Sequence, residues 1–560
     1  MGKTPSIVLG CLALVSLTVI YGCSNQVAPA ADAETRVPAG PAWFQDRAAT
    51  SGITFKLGHD RSPLTIRDVM HGGVAATDFD GDGKVDIYFV GDKTGGDGRG
   101  TLYRNKGDGT FEDVTANSGL AEPGLYMGCT VGDIDNDGKP EILLTGYGIT
   151  RLYRNLGGCK FKDVTKGSGL ESRSPTDWHS AAGFADLDHD GKLDLYIGKY
   201  VLFTKDTIQL CNYGPIKSSC GPIFYDQQFG ALYRNRGGFQ FQDVTQESGI
   251  WRSHGKCLGV TFGDVDNDGL TDMYLANDEM PGDLFINEGR MRFREEALMK
   301  GVALASSGAM QGAMGVDFGD FNRDGIMDLF VSTYQFEPDS LYAGSKDSVF
   351  RHVSVSTGID MISRSLVGWG AKFIDLNNDG WLDLPVTNGH IHDNQEKIDP
   401  KQSYRQPMLL FMNERGQTFS ERSSEAGPAI SNAMVGRGLA IADFNDDGLP
   451  DMAVTDIEGP ARLLINSIPN SGRNWIRIFL QGTTSNRMGL GARVTVVAGE
   501  DRWVADATTA GSYLSASDPR LHFGLGDHRK IDRVEVRWPS GKRSIVANPA
   551  IATELKVREP

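Results

Sequence analysis

The chain has little cysteine, a deficit of positive charge and a single long apolar run. Seven cysteines among 560 residues are too few for a scaffold held together by disulfides. Lysine and arginine number 56 against 72 aspartates and glutamates, a net charge of −16. Non-specific nucleic-acid binding needs a basic face, so this balance argues against nucleic acid as a partner. Beyond the N-terminus no segment is long and apolar enough to cross a membrane. The G-x-S-x-G, H-E-x-x-H, P-loop and dinucleotide fingerprints are missing. The stretch "GLGARV" at 489–494 lacks the strand–loop–helix setting of a phosphate cradle. What the chain has in excess is glycine, 70 residues, which favours tight turns between short strands. Its length exceeds that of one ordinary single-core domain.

The one apolar run is N-terminal, "MGKTPSIVLGCLALVSLTVIYGC", with one lysine ahead of it. It is short for a membrane span. Its end, Ile20-Tyr21-Gly22-Cys23, resembles a bacterial lipobox. That resemblance implies a lipoprotein signal peptide over 1–22, a mature chain beginning at a lipidated Cys23, and an extracytoplasmic, membrane-anchored place at the outer membrane or cell surface. An ordinary signal peptide with an incidental cysteine, or a membrane anchor, is the alternative. Residues 23–41 are rich in alanine and proline and read as a flexible tether. Export permits disulfides. Cys211 and Cys220 flank a short Gly/Pro/Ser-containing loop and are the candidate pair. Cys129, Cys159 and Cys257 receive no pairing.

Internal repeats set the organisation. "DFDGDGKVD" at 78 returns as "DIDNDGKPE" at 133, "DLDHDGKLD" at 186, "DVDNDGLTD" at 264, "DFNRDGIMD" at 320, "DLNNDGWLD" at 375 and "DFNDDGLPD" at 443. A strand-like run follows each copy. A second element comes next, as in "LYRNKGDGTFEDVTANSGL" from Leu102: strand, glycine turn, strand. Each period thus holds four antiparallel strands, the content of a propeller blade. The seventh copy has its third strand, "ARLLIN", but no fourth. "FQDRAATSGI" at 44–53 matches the missing piece, so the N-terminal segment is expected to supply the outer strand of the last blade. The fold class is therefore all-β: a seven-bladed propeller over 42–468, with a small sandwich-like domain over 473–558, where "WIRIFL", "ARVTVVA" and "RVEVRW" alternate as half-buried strands.

Oxygen ligands at alternate positions suit calcium. Positions one, three, five and nine offer side-chain oxygens, and position seven a carbonyl. The first copy supplies Asp78, Asp80, Asp82 and Asp86; the second Asp133, Asp135, Asp137 and Glu141; the third Asp186, Asp188, Asp190 and Asp194; the fourth Asp264, Asp266, Asp268 and Asp272. In the last three, position three is neutral: Asp320, Asn322, Asp324 and Asp328; Asp375, Asn377, Asp379 and Asp383; Asp443, Asn445, Asp447 and Asp451. Glycine at position six permits the sharp turn. The twelfth position is Phe89, Leu144 or similar, and the loop enters a strand, so these are not EF-hands. Asp/Asn/Gly runs also make plain polar turns, but seven copies at constant spacing favour calcium, about seven sites in a structural role.

The repeats resemble FG-GAP/VCBS repeats, the type found in integrin α propellers. "GDIDNDG", "LYRN" and "F-x-DVT" resemble the cartilage acidic protein family. "NWIRIFLQGTTSNRMGLGARVTVVAG", "GSYLSASDPRLHFGLG" and "VEVRWPSG" are similar to an ASPIC/UnbV domain. The resemblance implies a calcium-binding extracellular propeller without an established common catalytic chemistry.

Two blades carry long insertions, 198–231 and 387–407, both on the face opposite the acidic loops. Loops that break a repeat are where function is expected. Tyr213, Lys217, Phe224, Tyr225, His390 and His392 lie on them. His71, Trp178, His179, Trp369 and Arg437 sit where the first strands open toward the same face. Together these form the possible ligand face. The leading expectation is recognition or adhesion toward an extracellular protein or glycan, with a lipid anchor in the membrane. No catalytic residue is assigned, and a carbohydrate lyase or hydrolase on the same face is the alternative.

Overall fold

The computed structural model describes residues 41–59, 61–91, 98–469 and 472–560, all within one compact unit, Pro38–Pro560. The expected signal peptide, the lipidated Cys23 and the tether up to residue 40 lie outside the described residues.

Each repeat forms one antiparallel sheet of four strands, to which blade 4 adds a fifth, Gln311–Gly312. Blades 1 to 6 span 74–113, 126–163, 179–243, 257–295, 316–352 and 368–421. Blade 7 takes its three inner strands from 436–466 and its outer strand from Phe44–Asp46. Phe44 pairs with Asn466, Gln45 with Ile465 and Asp46 with Leu464, so the chain's two ends of the propeller are sewn into one sheet. The first strand of each blade packs against that of the next, and blade 7's against blade 1's, closing the ring. Closure leaves no inner edge exposed.

Neighbouring blades are bolted by one recurrent pair. The position-nine carboxylate of the acidic loop is buried and accepts two backbone N–H groups. Asp86 accepts from Phe79 (3.0 Å) and Asn105 (2.8 Å); Asp272 does the same from Val265 (2.9 Å) and Asn287 (2.8 Å). Glu141, Asp194, Asp328, Asp383 and Asp451 repeat the arrangement. The asparagine of "LYRN" then reaches across. Asn155 Nδ2 donates to Phe79 O of the preceding blade (2.9 Å) and to Pro140 O of its own (3.0 Å). Asn105 does so to Phe444 O (2.9 Å), which joins blade 7 to blade 1. Blade 5 has Gly344 in this place and lacks the bolt. The S-G turn adds a second link: Phe161 N donates to Ser118 O (2.6 Å), and Phe111 N to Ser51 O (2.7 Å).

The C-terminal strands make two sheets with their own core. In one, Asn474–Gln481 lies between Leu521–Gly526 and Glu554–Arg558; the other joins Arg493–Ala498, Asp501–Asp506, Arg533–Arg537 and Arg543–Ala547. Ile476, Ile478, Val494, Val496, Val534 and Trp538 pack between them. This pair of sheets sits directly on the acidic loops. Trp503 Nε1 donates to Gly380 O (2.9 Å), His522 meets Asn378 (2.6 Å), and Arg520 donates to Gly83 O (3.2 Å).

From it a loop, 508–518, descends into the axis of the ring. It touches every blade. Cys129 N donates to Leu514 O (3.0 Å), Gly511 N to Val260 O (3.1 Å) and Asp518 N to Ile441 O (3.1 Å). Ala516 bridges Ala75, and Ser512 bridges Val316. Ala510 packs near Gly183, and Lys372 donates to Ala510 O (2.9 Å). Tyr513, fully buried, stacks edge-on against Trp369 at 4.8 Å and donates to Met70 O (2.9 Å). "GSYLSASD" is thus an axial plug. Nothing in its composition marks it as one.

Asn155→Ala should lower unfolding free energy by about 1–3 kcal/mol, because it strands the buried carbonyls it serves. Urea denaturation checks this, with the midpoint falling and the slope unchanged.

Candidate metal centres and a capped pocket

The acidic loops share one internal wiring. The position-one carboxylate accepts the N–H of the position-six glycine in all seven: Gly83 at 2.8 Å, Gly138 at 2.8 Å, Gly191 at 3.1 Å, Gly269 at 3.0 Å, Gly325 at 2.9 Å, Gly380 at 2.7 Å and Gly448 at 2.9 Å. Those glycines all have positive φ, as the turn requires. Position four is left-handed as well, filled by Gly81, Asn136, His189, Asn267, Arg323, Asn378 and Asp446. Sequence reasoning accounted for the sixth position only.

The wiring gathers carboxylates. Asp133, Asp135 and Glu141 converge within 4.8 Å, as do Asp186, Asp188 and Asp194, and Asp264, Asp266 and Asp272. In the first loop Asp78, Asp80 and Asp82 converge, and Asp80 and Asp86 with Cys159. In the last three loops Asn322, Asn377 and Asn445 replace the third carboxylate, each accepting the N–H two residues on (3.0, 2.9 and 3.2 Å). The donor set is all oxygen and suits a hard cation. Several buried ligand oxygens have no protein partner: Asp135 Oδ1, Asp186 Oδ1, Asp188 Oδ1 and Asp264 Oδ1. A divalent cation fits that requirement.

Burial, reinforced by like charge from Asp80, pushes Asp86 up to about 7. Burial and the neighbouring loop carboxylates lift Asp133, Asp186 and Asp320 to about 7 and Asp375 to about 8.

Guanidinium groups temper this charge. The arginine of "LYRN" pairs with position three in blades 1 to 3: Arg104 with Asp80, Arg154 with Asp135 (2.8 Å), Arg234 with Asp188 (2.5 Å). Two more come from the C-terminal sheets. Arg477 pairs with Asp443 (3.0 Å) and Arg537 with Asp264. The loops therefore carry the C-terminal sheets as well as any cation. A Cβ at Gly448 would meet Trp475 at 2.1 Å, and one at Gly191 would meet Thr484 O at 2.4 Å.

The opposite face is capped rather than open. Cys211 and Cys220 form a disulfide in the first insertion. The two insertions meet: Ser219 Oγ bonds His392 Nδ1 (2.9 Å), Asn394 Nδ2 donates to Lys217 O (2.8 Å), and the Tyr213 and His392 rings pack at a tilt, 4.7 Å apart. Most of the expected ligand-face residues are interior. His71, Trp178, His179, Trp369, His390 and Arg437 are buried, as are Tyr225 and His392. For Trp178, Trp369 and Arg437 the reason is the segment before blade 1: Leu57, Leu64, Ile66, Val69 and Met70 join the same central core. Trp178 packs edge-on to Tyr200 (5.1 Å). His179 bonds Thr150 Oγ1 (2.7 Å). Arg437 stacks on Trp369 at 3.7 Å and donates to the carbonyls of Val69 and Gly436 (both 2.8 Å). Burial holds His71 at about 3, and His179 and His392 at about 4, so all three are neutral.

Beside the cap lies a pocket of about 450 Å³. Tyr213, Phe224, Trp369 and His392, four of the residues expected on the ligand face, line it. Tyr200, Asp278, Glu279, Tyr334, Phe336 and Asp399 also line it and were not foreseen. The one signal was the second strand of blade 4, Asp272–Met280, which runs on past its neighbours and pairs with Gln311–Gly312.

Comparison with known proteins agrees with this architecture. The FG-GAP-like repeat family matches residues 78–144, 133–197 and 264–331. The ASPIC and UnbV family matches residues 482–560. Human cartilage acidic protein 1 is 26% identical over 519 residues, 89% of this chain and 64% of that protein. Integrin alpha-3 of Cricetulus griseus is 27% identical over 193 residues, 33% of this chain and 16% of that one. The chain spans less than two thirds of the cartilage acidic proteins it matches, 61% of the mouse protein and 64% of the human. A solved structure of an Agrocybe aegerita lectin that recognises non-reducing terminal N-acetylglucosamine aligns with a TM-score of 0.41 at 15% identity, covering 64% of this chain and 82% of that one. No helix among the described residues is long and apolar enough to cross a membrane.

A raised carboxyl pKa means the folded state holds more protons than the unfolded one. Stability is then greatest below the unfolded value near 4 and declines as pH rises through the folded values. With Asp133 and Asp186 at about 7 and Asp375 at about 8, the chelated chain should lose melting temperature steadily from about pH 5 to about pH 8. A divalent cation should restore most at the alkaline end. Thermal melts at constant ionic strength measure this, and a flat chelated profile would contradict it.

Proposed function

We propose that this chain, which combines FG-GAP-like repeats with an ASPIC and UnbV segment and is homologous to cartilage acidic protein 1 over most of its length, is an extracytoplasmic recognition module stabilised by calcium. The recognition face is the insert face. The observation that carries this is the division of the two ends of the ring. One end is taken up by the C-terminal sheets and their plug. The other is covered by non-repeating sequence that leaves Ile223, Phe224 and Phe336 exposed at 66%, 53% and 59%. Exposed aromatic side chains beside polar groups are what protein and glycan partners use. Cys23, carrying lipid, would tether the module to a membrane, in keeping with the lipobox-like sequence.

Calcium is the preferred ion because the loops offer many oxygens in flexible loops, whereas magnesium keeps its waters. Its part is structural: it neutralises carboxylates that the fold has already gathered. Asp78, Asp80, Asp82 and Asp86 would hold it in the first loop, and the corresponding residues in the other six. The likeness to integrin alpha chains supports a divalent cation. At calcium tenfold above Kd each site adds about 1.4 kcal/mol, so EDTA should lower the melting temperature and calcium should restore it. A protein proven metal-free that melts unchanged would remove the ion from the account.

A carbohydrate lyase or hydrolase remains a second reading on one observation. Burial raises Asp278 and Glu337 to about 7, in the range where a carboxyl serves as general acid or base. Product formation from polysaccharides, abolished by Asp278→Asn with melting unchanged, would favour it.

Residues 24–560 should bind members of a glycan and surface-protein array in calcium, and Ile223→Asp with Phe224→Ser should abolish binding without lowering the melting temperature. Binding that survives this double change would place recognition elsewhere.

A further inference from the structure

The pocket beneath the cap has an unusual balance of groups. Its aromatic side chains are Tyr200, Tyr213, Phe224, Tyr334, Phe336 and Trp369. Its charged side chains are Asp278, Glu279 and Asp399, and no lysine or arginine lines it. His392, the one imidazole in the lining, is neutral. Arg437, behind Trp369, spends its guanidinium on backbone carbonyls. Lys256, outside the lining, acts electrostatically on Asp278 and Glu279 while its Nζ donates to Pro222 O at 3.0 Å; it does not act on Asp399.

The polar atoms on offer are mostly acceptors. Tyr200, one of the hydroxyls present, already donates to Asp278 (2.5 Å). Gln395 is 2% exposed, lines the pocket, and its Oε1 has no partner. Glu279 and Phe336 both hold left-handed backbone, φ 54° and 66°, a conformation costly for side chains other than glycine. A neutral sugar would want donors as well as acceptors. Aromatic faces with three carboxylates and no cation in the lining instead match a positively charged, apolar-shelled group.

We propose that this pocket binds an alkylammonium cation, its charge beside Glu279 and Asp399 and its methyl or methylene shell against Tyr334, Phe336, Phe224 and Tyr213. Such a group can arrive as a small quaternary ammonium compound or as the side chain of a lysine. The assignment rests on the insert face being the recognition face and names what that face takes.

Calorimetry on residues 24–560 in calcium tests it with three probes. Choline carries the charge, 3,3-dimethylbutanol has the same shape without it, and Nα-acetyl-lysine methylamide presents a side chain. Choline or the lysine amide should bind at least tenfold more tightly than the neutral alcohol. Glu279→Gln and Phe336→Ala should each weaken that binding about tenfold, with the melting temperature held; Phe336 is exposed, so its loss does not disturb packing. Tighter binding of choline assigns a small-molecule source, and tighter binding of the lysine amide a protein source. Equal affinity for the alcohol, or no binding of either cation, overturns the proposal. If array binding then still depends on Ile223 and Phe224, only the cation assignment has failed. If it does not, the recognition face has failed with it.

Discussion

The fold depends on a buried carboxylate at the ninth position of each acidic loop. Asp86 and its six counterparts each accept two backbone N–H groups, one from their own loop and one from the third strand. That fixes the loop's shape and the position of the "LYRN" asparagine together. The asparagine then binds a carbonyl of the preceding blade. Loop, strand and neighbouring blade are thus set by one side chain. A charge so deeply placed is expensive unless its oxygens are satisfied. The surrounding carboxylates at positions one, three and five raise that cost, and arginines or a divalent cation lower it. Metal binding and ring assembly are therefore parts of one electrostatic problem.

Regular features were legible in the sequence because repetition makes them so. The acidic loops, the four strands per period and the strand 44–46 that completes blade 7 all follow from matching one stretch against another. Features that occur once left no such trace. The plug at 508–518 reads as an ordinary polar loop, because its hydrogen bonds go to residues of six blades distant in sequence. Arg477 and Arg537 look like surface arginines of alternating strands, yet they reach Asp443 and Asp264. Trp178, His179 and Arg437 looked like pocket residues because strand ends open toward that face. Trp178 and Arg437 are core because they pack with the segment around the helix Ile66–Val69, and His179 because Thr150 and Ser172 enclose it, which no local pattern announces.

Among the described residues the axis of the ring is filled in consequence. Tyr513 enters from one end and Met70 from the other, and they meet through a hydrogen bond of 2.9 Å. The two ends are also chemically unlike. The loop end pairs some of its carboxylates with arginines from the C-terminal sheets, as Arg477 does Asp443 and Arg537 does Asp264. A partner approaching there would have to displace those pairs, at several kcal/mol for each buried one.

At the insert end the balance is reversed. Asp278 and Glu279 stand on the extension of blade 4's second strand, where the sheet has run past the repeat and its recurrent partners stop. No "LYRN" arginine reaches that far; blade 4 has Ile286 at the corresponding place. Arg437, the guanidinium closest to the axis, is held by carbonyls and by the face of Trp369. The loop acids therefore meet guanidinium groups supplied by the repeat or by the C-terminal sheets, whereas Asp278 and Glu279 have only the cation of Lys256 acting on them. Departure from periodicity and unspent charge coincide at one pocket, which is why recognition is best sought there.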